Sequence, residues 1–130
     1  MKKRVLLGMT VLLFSISLLI AQELPSGVIT AFSRGSSQEL NKYVGDKVNL
    51  VLQGRSINVD KQKATAMLQE FFTENKVSGF NVNHQGKRDE SSFVIGTLTT
   101  NKGNYRVNCF LKKMQNQYLI HQIRIDKTNE

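Results

Sequence analysis

Cysteine, proline and histidine are scarce in this sequence and tryptophan is missing: 130 residues hold one cysteine, one proline and two histidines. A single thiol cannot close an internal disulfide, which excludes a cystine-stapled miniature scaffold. There is also no cysteine–histidine cluster of the kind a zinc ribbon needs, so no metal is expected. One proline excludes a collagen. No phosphate-cradling glycine loop, dinucleotide fingerprint or serine nucleophile elbow is present, so no cofactor is implied. What is present is an ordinary globular composition, 40% hydrophobic and 22% charged, which is too apolar for disorder and long enough for one domain.

The only long apolar run comes first, which excludes a multi-pass membrane protein. Lys2, Lys3 and Arg4 precede apolar residues from Val5 to Ile20, and Ala21 stands before the polar Gln22 and Glu23. A basic start, an apolar stretch and a small boundary residue describe a secretory signal peptide over residues 1–21, with cleavage after Ala21. Leu19 departs from the pattern, because a small residue is favoured there. The alternative is an uncleaved anchor, although the run is short against the roughly 20 residues a spanning helix prefers. No cysteine stands at the boundary to accept a lipid. The expectation is a periplasmic or secreted chain with no membrane span after cleavage. Three of the eighteen basic residues and none of the ten acidic ones lie in the leader, so the formal charge of +8 falls to +5.

Residues 22–130 read as one domain. Val28, Ala31 and Phe32 fall at helical spacing with Gly35 as a stop. Ser36 and Glu39 make a capping box for a second helix with Leu40, Tyr43 and Val44 on its apolar side, ended by Gly45. Val48, Leu50 and Leu52 alternate as a strand. Asp60 then caps a helix in which Ala64, Met67, Leu68, Phe71 and Phe72 form one continuous stripe, the mark of a helix laid over a sheet. Four strands follow at about Val77–Gln85, Ser91–Thr100, Asn104–Lys113 and Gln117–Asp126, joined by a polar loop over 86–90 and turns at 101–104 and 114–116.

Short connections make these strands antiparallel neighbours. Centring the last hairpin on Gln115 pairs Tyr105 with Ile125, Val107 with Ile123, Cys109 with His121 and Leu111 with Leu119, all on one face. The preceding hairpin adds Val94, Gly96, Leu98 and Thr100 to that face. The other face receives Phe93, Ile95, Thr97, Arg106, Asn108, Phe110, Tyr118, Ile120, Gln122 and Arg124. A slip of one residue would exchange the faces.

This order of elements resembles the nuclear transport factor 2-like (NTF2-like, or cystatin-like) fold, an α+β cone in which three N-terminal helices pack on a curved antiparallel sheet in the order α-α-β-α-β-β-β-β. The tracts Gly27-Val28-Ile29-Thr30-Ala31-Phe32-Ser33, Phe80-Asn81-Val82-Asn83-His84-Gln85-Gly86 and His121-Gln122-Ile123-Arg124-Ile125 are similar to a small family of exported Bacteroidota proteins carrying a domain of unknown function. The resemblance spans nearly all of residues 24–128. It implies the fold and export but transfers no catalytic residue, because the same cone hosts isomerases, dehydratases, binding modules and assembly domains.

Enzymes of this fold need an inward acid or base whose pKa lies near the working pH. The inward face offers Tyr105, Cys109 and His121 as candidates and no carboxylate. A Cys109–His121 pair would be a nucleophile and base without a third orienting group, and Cys109 reads more simply as a small buried hydrophobe. With His84, placed near the cone's edge, these three make the candidate ligand pocket. Nucleic acid is not an expected partner: the basic residues are dispersed, and Lys87-Arg88 is offset by Asp89-Glu90. The outer face carries Phe93, Ile95, Phe110, Tyr118 and Ile120, roughly 500–700 Å² of apolar surface and more than a monomer ordinarily exposes in one patch. The leading expectation is a non-enzymatic exported domain that binds a small apolar ligand in its cone or a protein partner through its sheet, with a homodimer or an envelope protein as that partner. The rival is a small acid–base enzyme of isomerase or dehydratase type using His121 and Tyr105.

Overall fold

The computed structural model describes residues 26–128. The expected leader and its cleavage point after Ala21 lie outside the described residues. Helix α1 (Ser26–Arg34) buries Val28, Ala31 and Phe32, as their spacing requires. It stops at Gly35, whose φ of +60° is a left-handed conformation that glycine adopts without steric cost. Helix α2 (Ser37–Asn41) starts on the expected cap, with the Glu39 amide donating to Oγ of Ser36 at 3.2 Å. It is shorter than the pattern suggested. Tyr43 and Val44 leave it for the sheet, because the Ile120 amide donates to the Tyr43 carbonyl and draws the chain into pairing.

Strand β1 (Val44–Leu52) turns back as β2 (Arg55–Asp60), a strand the alternation did not predict. Gln53 and Gly54 both have positive φ and form a two-residue hairpin turn. Asp60 then caps α3 (Lys61–Glu74), its carboxylate accepting from the Lys63 amide at 2.8 Å. Ala64, Leu68, Phe71 and Phe72 are buried, and Met67 packs partly against the same core. The helix–helix–strand–helix–strand order is thus as expected, with the strand before α3 doubled into a hairpin.

Strands β3 (Val77–Arg88), β4 (Ser91–Thr100), β5 (Gly103–Met114) and β6 (Gln117–Lys127) complete a curved, unclosed six-stranded sheet in the order β2-β1-β6-β5-β4-β3. The expected 86–90 loop contracts to a turn at Asp89-Glu90, since β3 stays paired with β4 as far as Arg88. All neighbours are antiparallel except β1 and β6, which run parallel, so the sheet is mixed where a wholly antiparallel one was expected. The chain reaches that pairing by passing the whole of α3 and β3–β5 between its first and last strands.

Both hairpin registers depart from expectation. The β4–β5 ladder pairs Thr100 with Gly103 and Leu98 with Tyr105, a shift of two residues from a turn centred between Lys102 and Gly103 that leaves the faces unchanged. The β5–β6 shift does not. The β5–β6 turn is the two-residue Gln115-Asn116, both at positive φ, so Met114 faces Gln117 and Leu111 faces Ile120. Beyond that point the ladder shifts, with Phe110 facing Gln122 and Cys109 facing Ile123. His121 is the extra residue of a β-bulge, and a bulge reverses the inside–outside alternation across it. Ile123 and Ile125 face inward as expected. Tyr118 and Ile120, expected outside, are instead buried in the core, and Leu119 takes their place on the outer side. Val94, Leu98, Val107, Cys109, Leu111, Ile120, Ile123 and Ile125 are all fully buried on the inner face. Covering one such leucine or isoleucine is worth about 1.5–3 kcal/mol, so this face fixes the sheet against the helices.

Candidate functional site

The inner face carries Tyr105 and Cys109, four residues apart on β5, but not His121. Tyr105 is buried near the end of α3, where its hydroxyl donates to Oδ1 of Asn75 at 2.8 Å and its ring meets Phe71 edge-on at 5.2 Å. Asn75 in turn donates from Nδ2 to the Phe71 carbonyl at 3.0 Å. The phenol is therefore engaged in closing α3 and has no free proton-transfer geometry. Cys109 is completely buried, and that burial pushes its thiol far above the ordinary range, so it stays protonated and inert.

His121 is the clearest correction. The bulge turns it out to solvent, and the expected Cys109–His121 pair does not form because Ile123 stands opposite Cys109. Its pKa is lowered, first by partial desolvation against the sheet and then by the positive charge of Lys112. His84 also leaves the cone. A bulge after Val82 aligns it with Ile95 on the outer face, where its ring lies 5.3 Å from that of Phe93. The proposed pocket of Tyr105, Cys109, His121 and His84 is thus divided between two faces of one sheet. Among the described residues no group of three or more histidine, cysteine or carboxylate side chains could hold a metal ion. Two open grooves run along the outer side of α3, a third lies between α3 and the β1–β2 turn, and a fourth lies beside Tyr43; none of these four is lined by a candidate catalytic residue.

The outer face keeps three of its five expected apolar residues. Phe93 pairs with Phe110, and Ile95 lies one step along with Asn108 opposite. All three apolar side chains are half-buried. Phe93 lies over Gly86, where an added Cβ would come within 2.8 Å of the ring. Beside this row runs a polar chain that sequence reasoning missed: Gln122 donates to Asn49, and Asn49 donates to Ser56 and Asn58. The bonds to Ser56 and Asn58 depend on the β1–β2 hairpin, and the bond from Gln122 on the parallel β1–β6 pairing, neither of which the alternation predicted. Asn75 was missed for a different reason, since an asparagine after a helix reads simply as its terminus.

At the hairpin-tip end of the inner face, Ser92 and Tyr118 are buried, and the Lys87 ammonium lies 5.5 Å from the Tyr118 ring centroid. Among the described residues no helix is long and apolar enough to cross a membrane.

A curved sheet wrapped on three helices in this order is the NTF2-like, or cystatin-like, arrangement. A cystatin-like domain of unknown function from Nostoc punctiforme superposes with a TM-score of 0.63 at 11% identity, over 80% of this chain and 72% of its own. A putative ketosteroid isomerase from Kribbella flavida superposes at 0.58 and 13% identity, over 80% of this chain and 74% of that one. At such identities the likeness concerns the fold alone. Residues 25–126 match the family described as Domain of unknown function (DUF4783), and the chain belongs to that family. A DUF4783 protein from Bacteroides ovatus is 85% identical, with a TM-score of 0.82 over 84% of this chain and 99% of its own. Another, from Bacteroides fragilis, is 64% identical with a TM-score of 0.79, over 82% of this chain and all of its own. No curated protein matches the sequence.

Proposed function

We propose that this chain is an exported, non-enzymatic domain that acts by binding, and that it binds a second copy of itself through the outer face of the sheet. The observation that carries the reading is the separation of the candidate catalytic groups: Tyr105 is held by Asn75, Cys109 is sealed in the core, and His121 stands on the solvent side of a bulge. A general base must reach its substrate together with its partner, and these groups converge on no common point. Likeness in fold to a putative ketosteroid isomerase does not supply the missing carboxylate.

Between the two modes of binding, the fully buried side chains of the inner face favour a partner over a small apolar ligand, because they fill that face against one another. Phe93, Ile95 and Phe110 remain on the side away from the helices. Export rests on the leader read from residues 1–21, which makes the periplasm or the exterior the place of action and an envelope protein the alternative partner.

Sedimentation velocity and circular dichroism on the parent and on Phe110→Lys test the proposal. A lysine in a self-complementary apolar contact abolishes association while the secondary structure survives. A parent that stays monomeric at high micromolar concentration overturns the reading, and so does a variant that unfolds.

A further inference from the structure

Two hydroxyl groups on the inner face are buried and have no hydrogen-bond partner: Oγ of Ser92 and the phenol oxygen of Tyr118. Their residues are only 2% and 4% exposed. Buried polar groups in folded proteins are ordinarily paired, and an unpaired one weakens the fold that contains it, so two at one end of one face call for a physical reason. Tyr105 offers the contrast, since its equally buried hydroxyl has Asn75 as acceptor.

Lys87 links the two. It is the cross-strand partner of Ser92, and its ammonium lies over the ring of Tyr118 rather than on a carboxylate. The ion pairs among the described residues are Arg34–Glu39 and Arg124–Asp126, and neither takes Lys87. The β3–β4 and β5–β6 hairpin tips bring further cations to this end: Arg88 faces Ser91, Ser91 faces Lys112, and Lys113 faces Tyr118. Asp89 and Glu90 in the intervening turn offset part of that charge. The exposed cations alone would therefore be a solvated tip. The buried O–H groups beneath them set this end apart.

Two O–H donors and an ammonium that has a ring face but no carboxylate as partner are complementary to an anion, and an oxyanion offers a separate oxygen to each of them. We infer that Ser92, Tyr118 and Lys87 form a binding site for a small oxyanion, the phosphate or carboxylate group of a ligand. In the occupied site the Lys87 chain swings from the ring face to the anion, and the two hydroxyls donate to its oxygens. No covalent step is involved. The site lies on the opposite side of the sheet from Phe110 and does not depend on self-association.

The test is an NMR titration of the whole mature chain, isolated from its native cell, with sodium phosphate and separately with sodium acetate, each against sodium chloride at matched ionic strength. Saturable shifts at the amides of Lys87, Ser92 and Tyr118 are expected. A response to phosphate alone assigns a phosphate ligand, and a response to both assigns any oxyanion, carboxylates included. Tyr118→Phe and Ser92→Ala should each weaken the affinity about tenfold or more, the usual effect of losing a hydrogen bond to a charged group. In chloride alone Tyr118→Phe should melt no lower than the parent, since it removes an unpaired buried hydroxyl. Phe110→Lys should titrate as the parent does. The inference is overturned if neither anion gives saturable shifts, if the shifts stay on exposed lysines, if Tyr118→Phe binds as well as the parent, or if that variant melts several degrees lower in chloride.

Discussion

The hydroxyl of Tyr105 donates to Oδ1 of Asn75 at 2.8 Å, tying the start of β5 to the end of α3 across thirty residues of sequence. Asn75 also donates both its backbone amide, at 2.9 Å, and its Nδ2, at 3.0 Å, to the Phe71 carbonyl. Asn75 therefore meets the Phe71 carbonyl at the helix end with two donors, and Tyr105 meets the remaining side-chain oxygen of the buried asparagine. Tyr105→Phe leaves the asparagine oxygen buried and unpaired, which should cost about 1–3 kcal/mol in urea unfolding. Asn75→Ala should cost a similar amount, and the double variant less than the two together. Additive losses would mean that the two side chains do not act as one unit.

Phe71 and Phe72 provide a sharper test of how α3 lies on the sheet. Both are buried, their rings meet edge-on at 5.7 Å, and Phe71 also touches Tyr105. Aromatic-to-alanine changes in such positions cost about 3–5 kcal/mol. At least one of Phe71→Ala and Phe72→Ala should reach that range in urea melts. If both lose less than about 1 kcal/mol, the helix presents a different side to the core.

Two strand glycines should respond in opposite ways to alanine. A Cβ on Gly96 would stand 2.6 Å from the Asn81 carbonyl oxygen and 2.6 Å from the Phe80 ring, and backbone cannot easily retreat. Gly96→Ala should therefore lose about 1–3 kcal/mol through overpacking. Gly79 has open space at the same point, so Gly79→Ala should be neutral or gain up to about 1 kcal/mol by restricting the unfolded chain. Thermal melts of the two variants decide whether β3 and β4 approach as closely as described.

His121 should titrate below its ordinary value of 6.5, because desolvation against the sheet and the charge of Lys112 both oppose its protonation. The unfolded chain takes up this proton more readily than the folded one, so the residue withdraws stability as pH falls through 6.5 and ceases to do so above it. An NMR titration of the imidazole should show an upward move in Lys112→Ala, limited in size because desolvation is the larger cause. An unchanged midpoint would remove Lys112 from its surroundings.

Much of the architecture was legible because helical and strand periodicities are local. Val28, Ala31 and Phe32, the Ser36–Glu39 box and the Asp60 cap each announce themselves within a few residues. The β1–β2 hairpin was legible in principle, since Gln53-Gly54 is a turn signal between Leu52 and Ile57, but the shortness of β2 hid it. The candidate site was much less legible. Facing along a strand depends on counting residues from a turn, and a single bulge resets that count. Reading Gln115-Asn116 as the turn places Tyr118 and Ile120 inside at once, after which Ile123 and Ile125 can stay inside only if one residue between them is extruded. That residue is His121, the same side chain that looked most like a catalyst.

The reversed facing around the bulge yields the most direct test of β6. Ile120 is fully buried and faces Leu111, whereas Leu119 is half-buried on the outer side opposite Lys112. Ile120→Ala should lose about 2–5 kcal/mol, the sum of lost burial and the cavity left behind. Leu119→Ala should lose about 1 kcal/mol or less, since neighbouring side chains and water can close over the gap. His121→Ala should be nearly neutral, because the bulge leaves this side chain mostly in solvent with only part of it against the sheet. The uninterrupted alternation expected from the sequence alone requires the reverse, a costly Leu119 and His121 beside a tolerant Ile120. Urea unfolding of the three single variants separates the two geometries without reference to any function, and a larger loss for Leu119→Ala than for Ile120→Ala would remove the bulge.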